Sequence, residues 1–416
     1  MEPLVKKYAD KLIKAKLGSP KGVSQPLVGG LDDTIVWNRK ADEIPVLEDV
    51  FKALNINSLL FLKPREPYGQ IISYLGKNAL EAGSEYGSEK GFEHGLIQPK
   101  DCETKTFLHD LPVISEFNSS QIVEILKKRK GVIIVPKESS GIEKGPAVAA
   151  HGAVSPEQGF VTISSICFAC FVKFFADYLE NLQRGAVTDH YQEVFDAVVT
   201  YIKPLQKTVS GFTPTPFSSE EQVYSSMIEA GRKTIEYGLV DSYFGNLSYC
   251  WNDTLYISQT GSSMDELEGC IDPVPLDGST SACLTASSEL SAHVKIIEKT
   301  GCKAVLHGHP KFSVILSMDC DPKEKAACKF SEQCHIKCIK KRFAGTTPIV
   351  PGEVGTGRFG LCNTLPIAFE QSSSAIVYGH GLFTTGKNSF AEAFETMVKV
   401  ENNCFNTYFE KINSFR

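Results

Sequence analysis

The chain has 416 residues, 42% hydrophobic and 22% charged, which is the composition of an ordinary globular protein with room for two or three domains. Lys and Arg total 43 against 49 Asp and Glu, a formal charge of −6. That balance excludes a basic nucleic-acid binder and a polybasic membrane binder, both of which need concentrated positive charge. The 13 Cys fall at no framework spacing, and a chain this long can bury a core without disulfides, so reduced thiols in the cytoplasm are expected.

The first residues, MEPLVKKYADKLIKAK, predict a charged amphipathic helix and contain no apolar export signal. Residues 41–64, ADEIPVLEDVFKALNINSLLFLKP, read as Glu43, an amphipathic helix, a short turn, a Leu-rich strand and Pro64. They align without a gap on 287–310, SSELSAHVKIIEKTGCKAVLHGHP, with the same separation between Glu and Pro. Residues 81–100, rich in Gly and Glu, predict a surface insertion. Residues 147–178 carry an apolar strand, His151-Gly152 and a long helix, and resemble 375–408, where His380-Gly381 follows AIVYG. The stretch 160–176 is the most apolar of the chain, but its hydroxyl residues and Lys173 predict a buried helix rather than a membrane span. Two collinear matches in the same order predict an internal duplication. Residues 204–219, rich in Pro, Gly, Ser and Thr, read as the join, giving two domains, 1–205 and 206–416. Ser218 and Ser219 ahead of Glu220 and Glu221 predict the start of the next helix.

The second half carries the residues with chemical potential. Gly245-Asn246-Leu247-Ser248 opens a strand, and Ser258, Thr260, Gly261, Ser262 and Ser263 form a hydroxyl- and Gly-rich turn after the next one. Such turns present backbone N–H groups to anions. Ser287 and Ser288 add hydroxyls and N–H groups at a helix start. Taken singly, these segments read first as a plain hairpin loop and an N-cap. Glu289 follows them, as a helix-dipole partner or, beside a metal, as a general acid/base. His307 and His309, two apart on an apolar strand, share one face, and Gly308 leaves the other free for close packing. His380 ends a second apolar strand. Three neutral imidazoles with one open position would make a catalytic-type zinc site. Cys320, Cys328, Cys334 and Cys338 match no standard zinc or iron–sulfur spacing and read as structural thiols, as do Cys167 and Cys170 in their apolar helix.

Together these pieces resemble the class II aldolase/adducin family, to which the zinc-dependent L-fuculose-1-phosphate aldolases belong. The resemblance rests on Gly245 to Ser248, Ile257 to Gly261, Ser287 to Glu289, His307 to Pro310 and His380-Gly381, in the family's order over about 215–410. It implies an α/β protein of two tandem three-layer α/β/α domains, each with a central, mainly antiparallel sheet. It also implies Zn²⁺, or another divalent transition metal, held by His307, His309 and His380. Glu289 would be the catalytic acid/base, and Asn246, Thr260, Gly261, Ser287 and Ser288 would bind the substrate phosphate. The implied activity is retro-aldol cleavage of a small phosphorylated sugar or hydroxy-ketone through a metal-bound enediolate. The alternatives are a dehydratase, decarboxylase or epimerase on the same site, or an adducin-like scaffold without chemistry. A scaffold is expected to lose the ligands, whereas this sequence retains three His and the Glu.

Against that pattern the first copy sets Phe61 at the place of His307, Lys63 at that of His309, His151 at that of His380 and Glu43 at that of Glu289. One imidazole cannot hold the ion, and the phosphate-binding segments are missing, so 1–205 is expected to be non-catalytic. The family's ring-like tetramers imply a homo-oligomer, in which two chains of two domains would imitate four subunits. A phosphorylated small molecule is the expected partner, with no nucleic acid and no membrane. Tyr378 and Tyr408 are candidates for a distal proton donor.

Overall fold

In the computed structural model, residues 1–85, 94–136, 145–206, 211–240 and 243–416 are described. Parts of the expected insertion (86–93) and of the expected join (207–210) lie outside the described residues. The chain divides into two compact units, 1–178 with 187–203, and 179–186 with 204–416.

The N-terminal unit is built on seven strands: β1 (Leu27–Leu31), β2 (Ile35–Trp37), β3 (Ser58–Leu62), β4 (His94–Ile97), β5 (Leu111–Ile114), β6 (Gly131–Ile134) and β7 (Ala147–Gly152). Their order is β2-β1-β3-β7-β6-β5-β4, antiparallel throughout except for the parallel pair β5–β6. β3 is buried at every residue, as a strand covered on both faces must be. On one face Leu59, Phe61, Val132 and Ile134 pack with Leu47, Val50, Ile122 and Leu126 of helices Ile44–Ala53 and Ser119–Leu126. On the other, Leu60 lies against Gly159 of helix Pro156–Gln183. That helix is long and apolar enough to cross a membrane, but 78% of its most apolar window is buried inside the protein, as a core helix would be. The stretch 81–100, expected as a surface insertion, is in its described part the end of helix Tyr68–Glu85 followed by edge strand β4 and the residues after it.

The C-terminal unit has eight strands: β8 (Asn246–Trp251), β9 (Thr254–Ser258), β10 (Ile271–Pro275), β11 (Ala304–Gly308), β12 (Arg342–Ala344), β13 (Thr347–Val350), β14 (Ser374–Val377) and β15 (Gly381–Gly386). Their order is β10-β9-β8-β11-β15-β14-β13-β12, with one parallel pair, β13–β14. One face carries Leu255, Ile257, Val305, Val377 and Phe383 against Ile296, Leu361 and Leu365 of helices Leu290–Thr300 and Leu361–Ala368. Helices Glu220–Glu236 and Phe390–Phe415 cover the other. Each unit is thus a helix–sheet–helix sandwich, the mixed α/β class expected.

Beyond their first strands the two sheets share an order. β3-β7-β6-β5-β4 and β11-β15-β14-β13-β12 run alike, with the parallel pair at the same place. Ser58 sits opposite Gly152 as Ala304 sits opposite Gly386. By pairing, β7 therefore answers to β15 and not to β14, which corrects the match of His151 with His380. His380 immediately precedes β15, and the residue immediately preceding β7 is Pro146. The sequence match slipped because β14 and β7 are both apolar strands close to a His-Gly pair, and a local pattern cannot say which of two adjacent antiparallel strands it belongs to.

Candidate metal centre

His307 lies on central strand β11, between Asn246 of β8 and Phe383 of β15. His309 follows the strand, ahead of Pro310 and helix Lys311–Met318. The free N–H groups at the start of that helix are met by a buried carboxylate from helix Phe390–Phe415. Phe312 and Ser313 donate their amides to Glu401 at 2.8 and 2.9 Å, and the Ser313 hydroxyl donates at 2.8 Å. This anchors the path by which His309 leaves the sheet. His380 sits on the turn joining β14 to β15, where Gly379 N–H donates to Ser317 Oγ at 2.8 Å. A Cβ on the next residue, Gly381, would come within 2.6 Å of His307 Cε1 and 2.7 Å of His309 Cδ2, so only glycine lets the strand pass the imidazoles.

These elements bring the three Nε2 atoms together. His309 Nε2 and His380 Nε2 lie 3.1 and 3.2 Å from His307 Nε2. All three rings are buried, His307 completely, and the plane of Phe383 stacks on His307 at 3.9 Å. His307 Nδ1–H donates to the Leu382 carbonyl at 3.2 Å, which fixes the ring with Nε2 turned toward the other two imidazoles. Glu289 joins the group, with Oε2 3.6 Å from His307 Nε2 and Oε1 3.2 Å from His380 Nε2. Yet Oε1 is buried and accepts no hydrogen bond. A buried carboxylate oxygen without a hydrogen bond among imidazole nitrogens is costly, and a cation at their common point would satisfy it. A tetrahedral ion with Zn–N of 2.0–2.1 Å would set its nitrogens roughly 3.3 Å apart, close to what these rings already show. The residues fit a divalent metal.

Glu289 directly precedes helix Leu290–Thr300 and makes no capping hydrogen bond, so its side chain serves the centre rather than the helix end. Burial raises its pKa. The neighbouring His307 and His380 imidazoles, with the Asn246 amide, outweigh burial and hold the carboxyl below the usual carboxylate range. Asn246 Nδ2 donates to Glu289 Oε2 at 2.7 Å, and its Oδ1 lies 2.6 Å from His293 Nε2. Sequence reasoning did not single out His293. Its signal was the helical spacing from Glu289, one turn on.

The two anion-binding segments are joined. Thr260 N–H donates to the Thr285 carbonyl and Ser287 N–H to the Ser258 carbonyl, both at 3.0 Å. Those two amides are engaged, while the amides of Gly261 and Ser288, both in exposed residues, make no hydrogen bond among the described residues. Gly261 has φ +69°, a left-handed backbone turn that glycine adopts readily. Thr260, Gly261, Ser287 and Ser288 are thus neighbours on the rim beside Glu289, and Asn246 lies on the buried side of that carboxylate.

Among the described residues, no other group of three His, Cys, Asp or Glu side chains is drawn together this closely. Cys320, Cys328, Cys334 and Cys338 are half-buried free thiols. Tyr408 is fully buried against Phe312 and Phe409, and Tyr378 lies under Arg342.

Among solved structures, L-fuculose-1-phosphate aldolase from Thermus thermophilus is 19% identical, with 47% of this chain and 97% of that chain covered and a TM-score of 0.38. A sugar-phosphate aldolase from Thermotoga maritima is 17% identical, with 47% and 97% covered and a TM-score of 0.34. Nothing among the curated proteins matches the chain. Residues 225–408 match the family profile described as Class II Aldolase and Adducin N-terminal domain. That segment holds His307, His309, His380, Glu289 and Asn246, so the match to the class II aldolase and adducin family spans the whole metal centre of the C-terminal unit.

Proposed function

We propose that the C-terminal unit is a zinc-dependent lyase that cleaves a small phosphorylated sugar or hydroxy-ketone by retro-aldol chemistry. The observation that carries this reading is the buried Oε1 of Glu289, without a hydrogen bond, beside three clustered imidazole nitrogens. When bound, the ion supplies Lewis-acid stabilisation of the oxyanion that develops as the carbon–carbon bond breaks. The chain supplies the rest. Glu289, ionised at neutral pH, takes the proton of the substrate hydroxyl and returns it to the carbon left electron-rich by cleavage. Asn246 holds one carboxylate oxygen, so the other faces the substrate. The free amides of Gly261 and Ser288, the hydroxyls of Thr260 and Ser287, and the second Nδ2 hydrogen of Asn246 hold the phosphate. Burial of Glu289, Asn246 and the three imidazoles excludes water from them and strengthens their interactions.

The test is metal content joined to product analysis. Purified protein is expected to carry about one zinc per chain, His307→Ala none, and the zinc-loaded protein to release triose phosphate or aldehyde from a ketose phosphate. Release of CO₂ or loss of water instead would assign decarboxylase or dehydratase chemistry. A wild type with no affinity for divalent metal would overturn the lyase and favour a scaffold.

A further inference from the structure

We infer that His293, acting through Asn246, is the positioning residue that fixes which oxygen of Glu289 is free to react. Its catalytic consequence rests on the lyase reading; its geometry does not.

Asn246 and Ser248 are two apart on β8 and face the same side, and His293 stands one helical turn beyond Glu289. All four side chains are buried. They form one chain of contacts: Ser248 Oγ to His293 Nδ1 at 2.7 Å, His293 Nε2 to Asn246 Oδ1 at 2.6 Å, and Asn246 Nδ2 to Glu289 Oε2 at 2.7 Å. Only one arrangement of hydrogens satisfies it. An ionised Glu289 can only accept, so Asn246 must turn its NH₂ toward it. Asn246 Oδ1 then faces His293 and can only accept, so His293 must carry its proton on Nε2. Its Nδ1 is left as an acceptor for the Ser248 hydroxyl. Three donors point the same way, and each polarises the next toward the carboxylate.

The amide of an Asn has nearly the same shape in both flips. What distinguishes them here is the donor on its far side. Without His293 Nε2–H, the amide loses the partner that holds its oxygen away from Glu289. A flipped amide would set an oxygen against the carboxylate and release Oε2 from its hold. Burial keeps His293 neutral by pushing its pKa down to about 4, so the ring has a defined tautomer at pH 7. Phe383 holds that ring edge-on at 5.9 Å while lying flat on His307, which links the orientation of the relay to that of a metal ligand.

The experiment compares His293→Leu with His293→Gln in the zinc-loaded full chain, alongside ¹⁵N NMR of the wild type labelled at histidine and asparagine. Gln restores an N–H donor toward Asn246; Leu restores none. His293→Leu is expected to lower kcat on the order of 10- to 100-fold, with zinc content unchanged. His293→Gln is expected to recover most of that loss. The Asn246 side-chain amide resonance should move in the Leu variant and stay in the Gln variant. In the wild type, His293 should show the Nε2–H tautomer. Equal kcat in wild type and both variants, or equal loss in both variants, would overturn the inference. So would an Nδ1–H tautomer in the wild type, which needs no variant to fold. A wild type inactive on every substrate overturns the lyase reading instead, and the tautomer and amide resonances still decide the relay.

Discussion

The central strands of the two units, with the residue that follows each, run Ser58-Leu-Leu-Phe-Leu-Lys63 and Ala304-Val-Leu-His-Gly-His309. They hold the same place in their sheets and differ where it matters. Phe61 turns into the apolar core and packs on Phe117 at 5.1 Å, where His307 presents a lone pair. Lys63 extends its ammonium to Glu43 at 3.1 Å, where His309 meets the other imidazoles near Glu289. Burial raises the pKa of Glu43, but Lys63 outweighs burial and lowers it. One unit thus tethers its cation to the backbone, and the other gathers three imidazole nitrogens beside its carboxylate. The comparison teaches that this sheet tolerates either solution, because both satisfy the same inward-facing carboxylate.

The comparison breaks most readily at the carboxylates. Glu289→Gln keeps the shape and removes the base, so kcat is expected to fall on the order of 10²- to 10⁴-fold with zinc retained. Glu43→Gln is expected to leave turnover unchanged. Loss of turnover in the Glu43 variant would show that the N-terminal unit takes part in the chemistry.

Much of this was legible in the sequence where the signal is local. The H-x-H pair on an apolar strand, the Glu at the foot of the preceding helix and the Pro after His309 all follow from strand and helix periodicity. The ungapped match of 41–64 on 287–310 also set β3 on β11 without error. What escaped was tertiary. Asn246 opens a strand and is a phosphate ligand by the family resemblance, and only the packing of β8 beside helix Leu290–Thr300 turns it to Glu289 and His293. Glu401 caps the helix after His309 from far along the chain, and no spacing announces it. His151 was matched to His380 because strand identity in an antiparallel pair is decided by register, which a single apolar run does not carry.

A second difference lies between the corresponding strand pairs β4–β5 and β12–β13. The C-terminal unit joins its pair through Gly345 and Thr346, whereas the N-terminal unit inserts helix Cys102–Leu108. Asp101 caps that helix while fully buried, accepting from Thr104 N–H at 2.8 Å and from its hydroxyl at 2.5 Å. Burial outweighs these bonds and pushes its pKa from 3.8 up to about 6. A folded value above the unfolded one means that the stabilisation is complete below about pH 4 and is lost as pH rises through 6. The loss is expected to reach about 3 kcal/mol at neutral pH. Asp101→Asn keeps a capping oxygen and removes the titration. Thermal unfolding from pH 4 to 7 should therefore show a falling midpoint for the wild-type N-terminal unit and a flatter one for the variant. A wild-type profile no steeper than that of Asp101→Asn would show that Asp101 does not carry the pH dependence of this unit.

The smallest effect is expected at the tethered cation itself. Lys63→Met leaves Glu43, whose side chain is only 20% exposed, without its partner. An orphaned, mostly buried carboxylate costs about 1–2 kcal/mol, partly relieved by protonation. The double variant Glu43→Gln with Lys63→Met removes the charge together with its partner and should regain part of that loss, because no lone ion remains. Urea unfolding of the wild type and three variants (Glu43→Gln, Lys63→Met and the pair) closes the cycle and isolates the coupling. Zinc content and kcat should stay at wild-type values in all of them. A coupling near zero would mean that Lys63 does not serve Glu43 as the ion is proposed to serve Glu289, and the equivalence drawn between the two strands would reduce to a shared backbone.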